Sequence, residues 1–240
     1  MDSYEHLAKI YDQFMIDVDY KDWAEYLAGF FKFDDETVID VGCGTGNITI
    51  EFNKRGYDII GIDASIPMLD IAQEKARKAG QSISFVCQEA SEIESHKKVD
   101  VVVASCDVVN YIEKEQLAPF FERVYDVLKA DGTFLFDISS SYKLKNTIAN
   151  NIFFEDDEQS AYIWNNELYD NYVAMDLILF VKCDEMYERY TESHIQYIYE
   201  YDMLADLLNS CGFECKIYDF LSKDDVKHDS QRIQFVCKKR

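Results

Sequence analysis

The chain has 240 residues, of which 24 are lysine or arginine and 46 are aspartate or glutamate, so its formal charge is −22. Hydrophobic residues make up 48% of the sequence, which is enough for a sizeable core and excludes a disordered chain. The excess of acids argues against broad nucleic-acid binding and against an anionic membrane surface, since both need exposed lysine and arginine. It suits a small cationic or amine-bearing substrate, which an acidic protein attracts.

The seven cysteines contain no Cys-x-x-Cys pair, and histidine and cysteine do not cluster at the spacing of metal ligands, so we expect no bound metal. The first residues have neither the basic nor the apolar region of a signal peptide. No apolar run approaches the ~18 residues of a membrane span. These features predict a cytoplasmic protein with reduced thiols and no membrane partner.

Residues 37 to 138 alternate between short apolar strands and helices. Strands are predicted at 37–41, 58–62, 83–87, 99–104 and 133–138. Helices are predicted at 47–54, 67–79 and 115–129, the second of which begins with Pro67 and ends at Gly80. This alternation predicts a parallel sheet that helices bury on both faces.

The sequence after Ser139 follows a different pattern. Three longer segments, 161–168, 172–183 and 186–200, alternate between polar and apolar side chains, which predicts an antiparallel unit with one buried face. A helix at 202–210 and two strands at 213–220 and 232–239 follow, and these strands are close enough in sequence to be antiparallel neighbours. We therefore divide the chain into an N-terminal helical segment (1–36), a core (37–138 and 201–240) and an inserted unit (139–200).

A glycine-rich loop joins the first strand to the next helix. Gly42, Gly44 and Gly46 follow Asp40 at alternating positions, and glycines here let the backbone turn tightly and approach a ligand. The dinucleotide-binding fingerprint Gly-x-Gly-x-x-Gly would place its third glycine at position 47, where this chain has Asn47. The spacing argues against an NAD-binding oxidoreductase, which stays an alternative.

This loop resembles the nucleotide-binding motif of class I S-adenosylmethionine (SAM)-dependent methyltransferases. Further matching turns follow in order up to about residue 213, including Leu-Lys-Ala-Asp-Gly before the strand at 133. The resemblance implies a Rossmann-like α/β fold with a mostly parallel seven-stranded sheet and an antiparallel unit inserted after strand five. It also implies that Asp40, Gly42, Cys43 and Gly44 form the part of the site that contacts the methionine moiety of SAM.

An acid at the end of the second strand is the next element of the resemblance. Asp63 can accept two hydrogen bonds from a ribose diol, as such an acid does in the family. An NAD-binding protein has an acid at a similar distance, so Asp63 indicates an adenosine ligand without choosing between the cofactors. The resemblance places Ala64 and Met68 against the adenine ring.

Residues after the third and fourth strands complete the cofactor site that the resemblance implies. The family commonly contacts the adenine amino group with an aspartate and a neighbouring backbone N–H. Here either Gln88 or Glu89 takes that place, beside Ala90. Cys106 follows the fourth strand, where the family wraps the chain around the cofactor. The expected cofactor is therefore SAM.

The N-terminal helical segment is rich in aromatic residues. With Tyr11 it resembles the lid of small-molecule methyltransferases, including glycine N-methyltransferase-like, amino-sugar N-methyltransferase-like and other bacterial enzymes. In these an aromatic side chain covers SAM near its sulfonium, since an aromatic face attracts a cation. Tyr4 and Trp23 fit a lid and a buried core equally well, whereas Tyr11 fits the lid better.

One element of that lid is missing from this sequence. Several relatives hold the SAM carboxylate with an N-terminal arginine, but the first arginine here is Arg55, inside the fold. Tyr20, Lys9, Lys21 or loop amides are open candidates for this contact.

The acceptor side has one candidate catalytic residue, His194. A general base can help an amine or a hydroxyl to attack, and the pKa of histidine suits that role. His194 lies in the inserted unit near Glu192, and that unit can cover the carboxyl ends of the strands, where ligands of open α/β sheets bind. The alternative is a hydrogen-bonded strand histidine without a catalytic role.

Together these features predict methyl transfer from SAM to a small-molecule acceptor, an amine or a hydroxyl. The alternatives are a non-catalytic SAM-binding module and an RNA or protein methyltransferase. The acid excess favours a metabolite over nucleic acid. No motif identifies the acceptor or the oligomeric state.

Overall fold

The computed structural model describes residues 7–33, 36–156 and 158–240. Its strands are β1 (Thr37–Val41), β2 (Asp58–Asp63), β3 (Ser84–Cys87), β4 (Val99–Ala104), β5 (Leu128–Ser139), β6 (Ile152–Asp156), β7 (Ser160–Leu168), β8 (Tyr172–Cys183), β9 (Met186–Tyr197), β10 (Phe213–Asp219) and β11 (Arg232–Lys239). Its helices are α1 (Ala8–Phe14), α2 (Tyr20–Ala28), α3 (Asn47–Lys54), α4 (Ile66–Lys78), α5 (Lys114–Val127), α6 (Ser141–Lys143) and α7 (Tyr201–Ser210).

Seven strands form one sheet in the order β10-β11-β5-β4-β1-β2-β3. The neighbours from β5 to β3 are parallel, and β11 lies antiparallel between β5 and β10. The predicted α/β fold with a mostly parallel seven-stranded sheet is confirmed, as is the antiparallel pairing of the last two strands. Because β1, β2 and β4 are parallel neighbours or near neighbours, the loops after them meet at one edge.

The central strand β4 is buried on both faces, which explains its unbroken apolar run. Val102 packs on one side in a cluster with Leu117 of α5. Val101 packs on the other side in a cluster with Trp23 and Leu27 of α2. The N-terminal helix α2 thus covers one face of the sheet through the aromatic residue that the sequence left undecided between core and lid.

A second sheet follows β5 and has the order β6-β7-β8-β9, all antiparallel. Its inner face contacts α1, where Leu7 and Ile10 pack against Leu179. The sequence predicted three of these strands and missed β6. That strand is short and leaves Ile152 and Phe154 largely exposed, so its apolar side chains do not follow a buried-face pattern.

Some predicted element boundaries were wrong. Helix α5 ends at Val127, two residues early, because Leu128 already has extended backbone dihedral angles and starts β5. The pairing of Leu128 with Val99 lengthens β5 well beyond the predicted start at residue 133. Likewise, β9 ends at Tyr197 and leaves three residues before α7.

The expectation that all thiols are reduced was wrong for one pair. Cys215 of β10 and Cys237 of β11 form a disulfide, because the antiparallel register puts them directly opposite each other. The cytoplasmic location stays a prediction. Among the helices of the described ranges, none has the length and apolar character needed to cross a bilayer.

Candidate functional site

The glycine loop between β1 and α3 presents bare backbone to open space. Gly44 has φ +53°, and a Cβ added there would meet no atom within 4 Å. Gly42 has φ +67°, but a Cβ there would collide with the side chain of Val108. Asp63 fixes the loop, because its Oδ2 accepts from the Gly44 N–H at 2.8 Å and its Oδ1 from the Ser65 N–H at 2.8 Å. The loop therefore has room for a ligand at Gly44.

A buried carboxyl group connects the strand before this loop to the helix after it. Asp40 is 2% exposed, and its Oδ2 accepts a hydrogen bond from the Thr49 hydroxyl at 2.6 Å. Burial raises the pKa of Asp40 to about 7, the Thr49 hydrogen bond opposes that rise, and the nearby charge of Asp63 adds to it. At neutral pH Asp40 can thus exist in either protonation state.

A cavity of about 40 Å³, the small cavity, lies against the loop. It is lined by six of the residues predicted to bind the cofactor, namely Tyr11, Asp40, Gly42, Cys43, Gly44 and Cys106. Tyr20 also lines it, whereas Lys9 and Lys21 are exposed and do not. Of the three side chains considered for the SAM carboxylate, Tyr20 alone is at this cavity.

The residues predicted for the adenosine lie outside the small cavity, at the end of β2 and the start of α4. Asp63 is half-buried and Ala64 is exposed, so both are open to a ligand. Met68 is only 2% exposed and packs in the interior, so an adenine contact would require its side chain to move.

Gln88, Glu89 and Ala90 lie just beyond β3, the strand that borders β2 at the edge of the sheet. The side-chain amide of Gln88 donates to the Glu92 carbonyl oxygen at 2.9 Å, which commits that side chain to its own loop. Glu89 is exposed, and Ala90 is half-buried. Of the two candidates for the adenine contact, Glu89 is therefore the better placed.

A second cavity of about 340 Å³, the large cavity, lies between α1, the ends of β4 and β5, and the inner face of the second sheet. His194 lines it and is 7% exposed. The His194 Nε2 is 3.3 Å from Oε2 of Glu192, whose Oε1 accepts from the Leu7 N–H at 2.8 Å. The predicted base thus lies at a cavity, with a buried carboxylate beside its ring.

The two cavities share two lining residues, Tyr11 and Cys106. Tyr11 comes from α1, and Cys106 follows β4. A ligand in the small cavity and a ligand in the large one would therefore meet at this pair.

Comparison with known proteins identifies the family to which the chain belongs. The chain is 34% identical to "Putative methyltransferase" from Geobacillus sp. (strain WCH70), over 99% of this chain and all of that protein. A solved S-adenosylmethionine-dependent methyltransferase from Clostridium acetobutylicum is 32% identical, with a TM-score of 0.88 over 98% of each chain. The chain is a SAM-dependent methyltransferase. Residues 38–132 match the model of the methyltransferase domain family.

A more distant structure shares the fold alone. The sugar N-methyltransferase KedS8 from Streptoalloteichus is 14% identical, with a TM-score of 0.78 over 96% of this chain and 92% of that one. The relatives at 34% and 32% identity, together with the family match, bear out the class I resemblance, the expected enzyme class and the expected cofactor.

The methyltransferase's loop has the chemistry that SAM needs. The open space at Gly44 lets a ligand approach the backbone closely. Each oxygen of Asp63 accepts one backbone hydrogen bond, and a carboxylate oxygen has a second lone pair with which to accept from a ribose hydroxyl. These residues therefore fit an adenosine cofactor without rearrangement of the loop.

In the wall of the large cavity the enzyme has a largely buried cluster of charges that the sequence did not predict. Arg232 of β11 pairs with Asp107 at 2.8 Å and, at closer range, with Asp137 of β5. Asp137 also accepts from the backbone N–H groups of Cys106 at 2.9 Å and Asp107 at 3.0 Å. Lys143 of α6 also lines the cavity. We call Asp107, Asp137, Lys143 and Arg232 the buried charge cluster.

The cluster shifts the pKa values of its acids in opposite directions. Burial raises the pKa of Asp137, and Arg232 only partly offsets it. Burial acts in the same direction on Asp107, but the charges of Arg232 and Lys143 outweigh it, so the pKa of Asp107 is lowered. The guanidinium stays protonated, because both acids raise its pKa despite burial.

The backbone at this point is held in a rarely adopted conformation. Cys106 and Asp107 have φ of +63° and +54°, a left-handed region that side chains other than glycine disfavour. The two N–H groups that this turn aims at Asp137 keep it in place. Asp137 in turn pairs with Arg232, so this ion pair supports the wall where the two cavities meet.

The two cysteines of the site are not nucleophiles. Burial raises the pKa of the Cys43 thiol, and the acids Asp40 and Asp63 raise it further. Burial and Asp137 do the same for Cys106. Both shifts favour the protonated thiol at neutral pH, which argues against covalent catalysis through a thiolate.

The N-terminal aromatic residues divide between the cavities and the core. Tyr11 lines both cavities, while Trp23 is 4% exposed and packs against the Phe220 ring, 4.8 Å between centroids. Tyr4 lies outside the described residues. The sequence did contain a signal for the buried cluster, since Asp137 interrupts an apolar strand and a buried acid needs a partner. It gave no indication that the partner was Arg232.

Proposed function

We propose that this methyltransferase transfers the methyl group of SAM to an amine or a hydroxyl of a small metabolite. The observation that carries the proposal is the junction of the two cavities at Tyr11 and Cys106, next to the glycine loop. SAM supplies an activated methyl group and a good leaving group, so the protein has to position the acceptor and exclude water.

On the cofactor side, we assign the methionine moiety to the small cavity and the adenosine to the groove beyond Asp63. Asp40, Gly42, Cys43 and Gly44 support the methionine end. In this arrangement the ribose diol would donate to Asp63, the adenine would lie near Ala64 and Met68, and Glu89 and Ala90 would be at its amino group. These roles rest on the positions of the residues around one continuous edge of the sheet.

Tyr11 acts at the junction of the two sites. Burial raises the pKa of its phenol well above the ordinary value, so the hydroxyl stays protonated. A protonated phenol can donate a hydrogen bond, and its ring face attracts a sulfonium cation. The N-terminal helix that carries Tyr11 thereby acts as a lid on the cofactor.

On the acceptor side, we assign His194 as the general base. It lies in the inserted unit, residues 139–200, which forms one wall of the large cavity, and Glu192 can orient its ring. A neutral imidazole takes the proton that the acceptor loses when the new bond to methyl forms. A volume of about 340 Å³ admits a metabolite-sized molecule.

Isothermal titration calorimetry tests the cofactor half of this proposal. SAM and S-adenosylhomocysteine should bind with dissociation constants in the micromolar range, whereas NADH should not bind. Failure to detect SAM binding at tens of micromolar would count against the proposed cofactor site.

A co-crystal structure with S-adenosylhomocysteine tests the assignment of His194. We expect its imidazole to lie no further than one bridging water from the vacant methyl position. If the ring is more distant, His194 is a structural residue and the base assignment is wrong.

A further inference from the structure

Lys143 lies at the wall of the large cavity, where burial and the charge of Arg232 lower its pKa and the charges of Asp107 and Asp137 oppose that lowering. Its ammonium group donates to the Ser139 hydroxyl at 3.2 Å. Within the described parts of the chain, no carboxylate lies within 4 Å of its Nζ. An ammonium group has three N–H donors, so the hydrogen bond to Ser139 leaves it able to donate to a molecule in the cavity.

The other cation at this cavity, Arg232, is committed to the protein. Its guanidinium bridges Asp107 and Asp137, and it lies over the rings of Trp23 and Phe220 at 5.5 Å from each centroid. Arg232 cannot turn toward a ligand without leaving two buried carboxylates unpaired, which is costly. Recognition of an anion at this wall therefore falls to Lys143.

The two acids near Lys143 are likewise engaged. Asp137 accepts two backbone hydrogen bonds and pairs with Arg232, while Asp107 accepts from the Gln196 amide and the Ser139 hydroxyl. The four charges of the buried charge cluster sum to zero, so net charge alone does not demand an anion. The Lys143 ammonium lies at the cavity surface, and its nearest acids accept hydrogen bonds from other donors. This arrangement favours the binding of an anion.

Much of the remaining lining of the large cavity is apolar and aromatic. Its walls include Phe14, Tyr162, Trp164, Met175 and Leu177. Such walls exclude water and lower the local dielectric, which strengthens the attraction between an ammonium group and an anion. They also suit a flat, apolar molecular body.

We propose that Lys143 binds a carboxylate of the methyl acceptor, whose remaining body is a flat, apolar group held between the aromatic walls. This assignment rests on the proposed function, since it takes the large cavity as the acceptor site. It adds one chemical requirement to that function, namely an acidic group on the side of the acceptor that faces α6. The overall charge of −22 disfavours anions at long range, so Lys143 supplies local selectivity.

Titration with two probes of the same shape, one charged and one neutral, tests the proposal. Benzoate and its neutral counterpart benzamide are titrated into the enzyme saturated with S-adenosylhomocysteine. We expect benzoate to bind at millimolar concentrations and at least about tenfold more tightly than benzamide, the range of one charge-assisted hydrogen bond. Lys143→Met should abolish this preference, while Lys143→Arg should retain part of it.

Lys145→Met is the matched control, because Lys145 follows on the same segment but pairs with Glu200 at 3.0 Å on the surface. It should keep the preference for benzoate. Thermal unfolding of each variant shows whether the fold is intact. Equal affinity for both probes, no binding of benzoate, or a preference that survives in Lys143→Met would each overturn the proposal. If S-adenosylhomocysteine itself does not bind, the proposed function fails instead.

Discussion

Lys75 of α4 and Asp12 of α1 form an ion pair in which Nζ and Oδ2 are 2.6 Å apart. The other oxygen of Asp12 accepts from the Thr45 hydroxyl at 2.7 Å and the Asn47 side-chain amide at 2.9 Å. Lys75 also donates to Asn47. The N-terminal helix α1, which carries Tyr11, is thereby attached to Thr45 in the glycine loop and Asn47 at the start of α3, so the position of α1 is coupled to that of the loop.

Lys75→Met should weaken SAM binding about fivefold while changing the free energy of unfolding by no more than about 1 kcal/mol. The pair is partly exposed, so its energy is that of a screened surface ion pair. Calorimetric titration with SAM measures the effect. The control is Lys78→Met on the same helix, since Lys78 pairs with Glu74 in solvent. Unchanged affinity in Lys75→Met would show that α1 keeps its position without this contact.

Asp63→Ala should weaken SAM binding by about 1.5–3 kcal/mol, the range of hydrogen bonds to a charged group. Asp63→Asn, which keeps one acceptor oxygen for the Gly44 N–H, should lose less. The difference in SAM affinity between the two variants separates the ribose contact from support of the loop, because asparagine can keep the hydrogen bond to the Gly44 N–H. Asp58→Ala, an exposed acid at the start of the same strand, is the control. If Asp63→Ala binds SAM like the wild type, Asp63 is not a cofactor ligand.

The sequence predicted the elements whose pattern is local. The central strands are buried on both faces, so each appears as a short apolar run, and glycines mark the loop after β1. The position of His194 at a cavity also followed from topology, because the second sheet comes after β5 and covers the strand ends. Its role as a base stays a prediction.

Contacts between distant segments were beyond this reasoning. Asp137 and Arg232 are 95 residues apart, and Asp12 and Lys75 are 63 apart. Composition does not specify which of 46 acids meets which of 24 bases, since that choice depends on strand register and helix packing. The Cys215–Cys237 disulfide depends on register in the same way.

Asp40→Asn should stabilise the protein increasingly as the pH rises. In the folded protein the pKa of Asp40 is raised from its usual 3.8 to about 7, so the folded state binds more protons than the unfolded state between these values. Wild-type stability therefore falls as the pH rises through this window. The asparagine does not titrate and can still accept from Thr49. Urea unfolding at pH 5 and pH 8 should show a relative gain of about 2–3 kcal/mol at pH 8.

The control for this measurement is Asp58→Asn, an exposed acid of the neighbouring strand, whose stability difference from the wild type should not depend on pH. A pH-independent difference for Asp40→Asn as well would mean that Asp40 is ionised throughout, in disagreement with its burial.

Arg232→Met should destabilise the fold by about 3–5 kcal/mol near neutral pH, because it leaves Asp107 and Asp137 buried without their guanidinium partner. Without that partner, burial raises the pKa values of both acids above their unfolded values. The variant should therefore recover stability relative to the wild type as the pH falls toward 5, where the acids take up protons. Arg240→Met removes an exposed arginine paired with Glu214 and should change stability by less than about 1 kcal/mol. Urea unfolding of both variants at pH 5 and pH 8 measures this, and an equal loss at both pH values would contradict the assigned pairing.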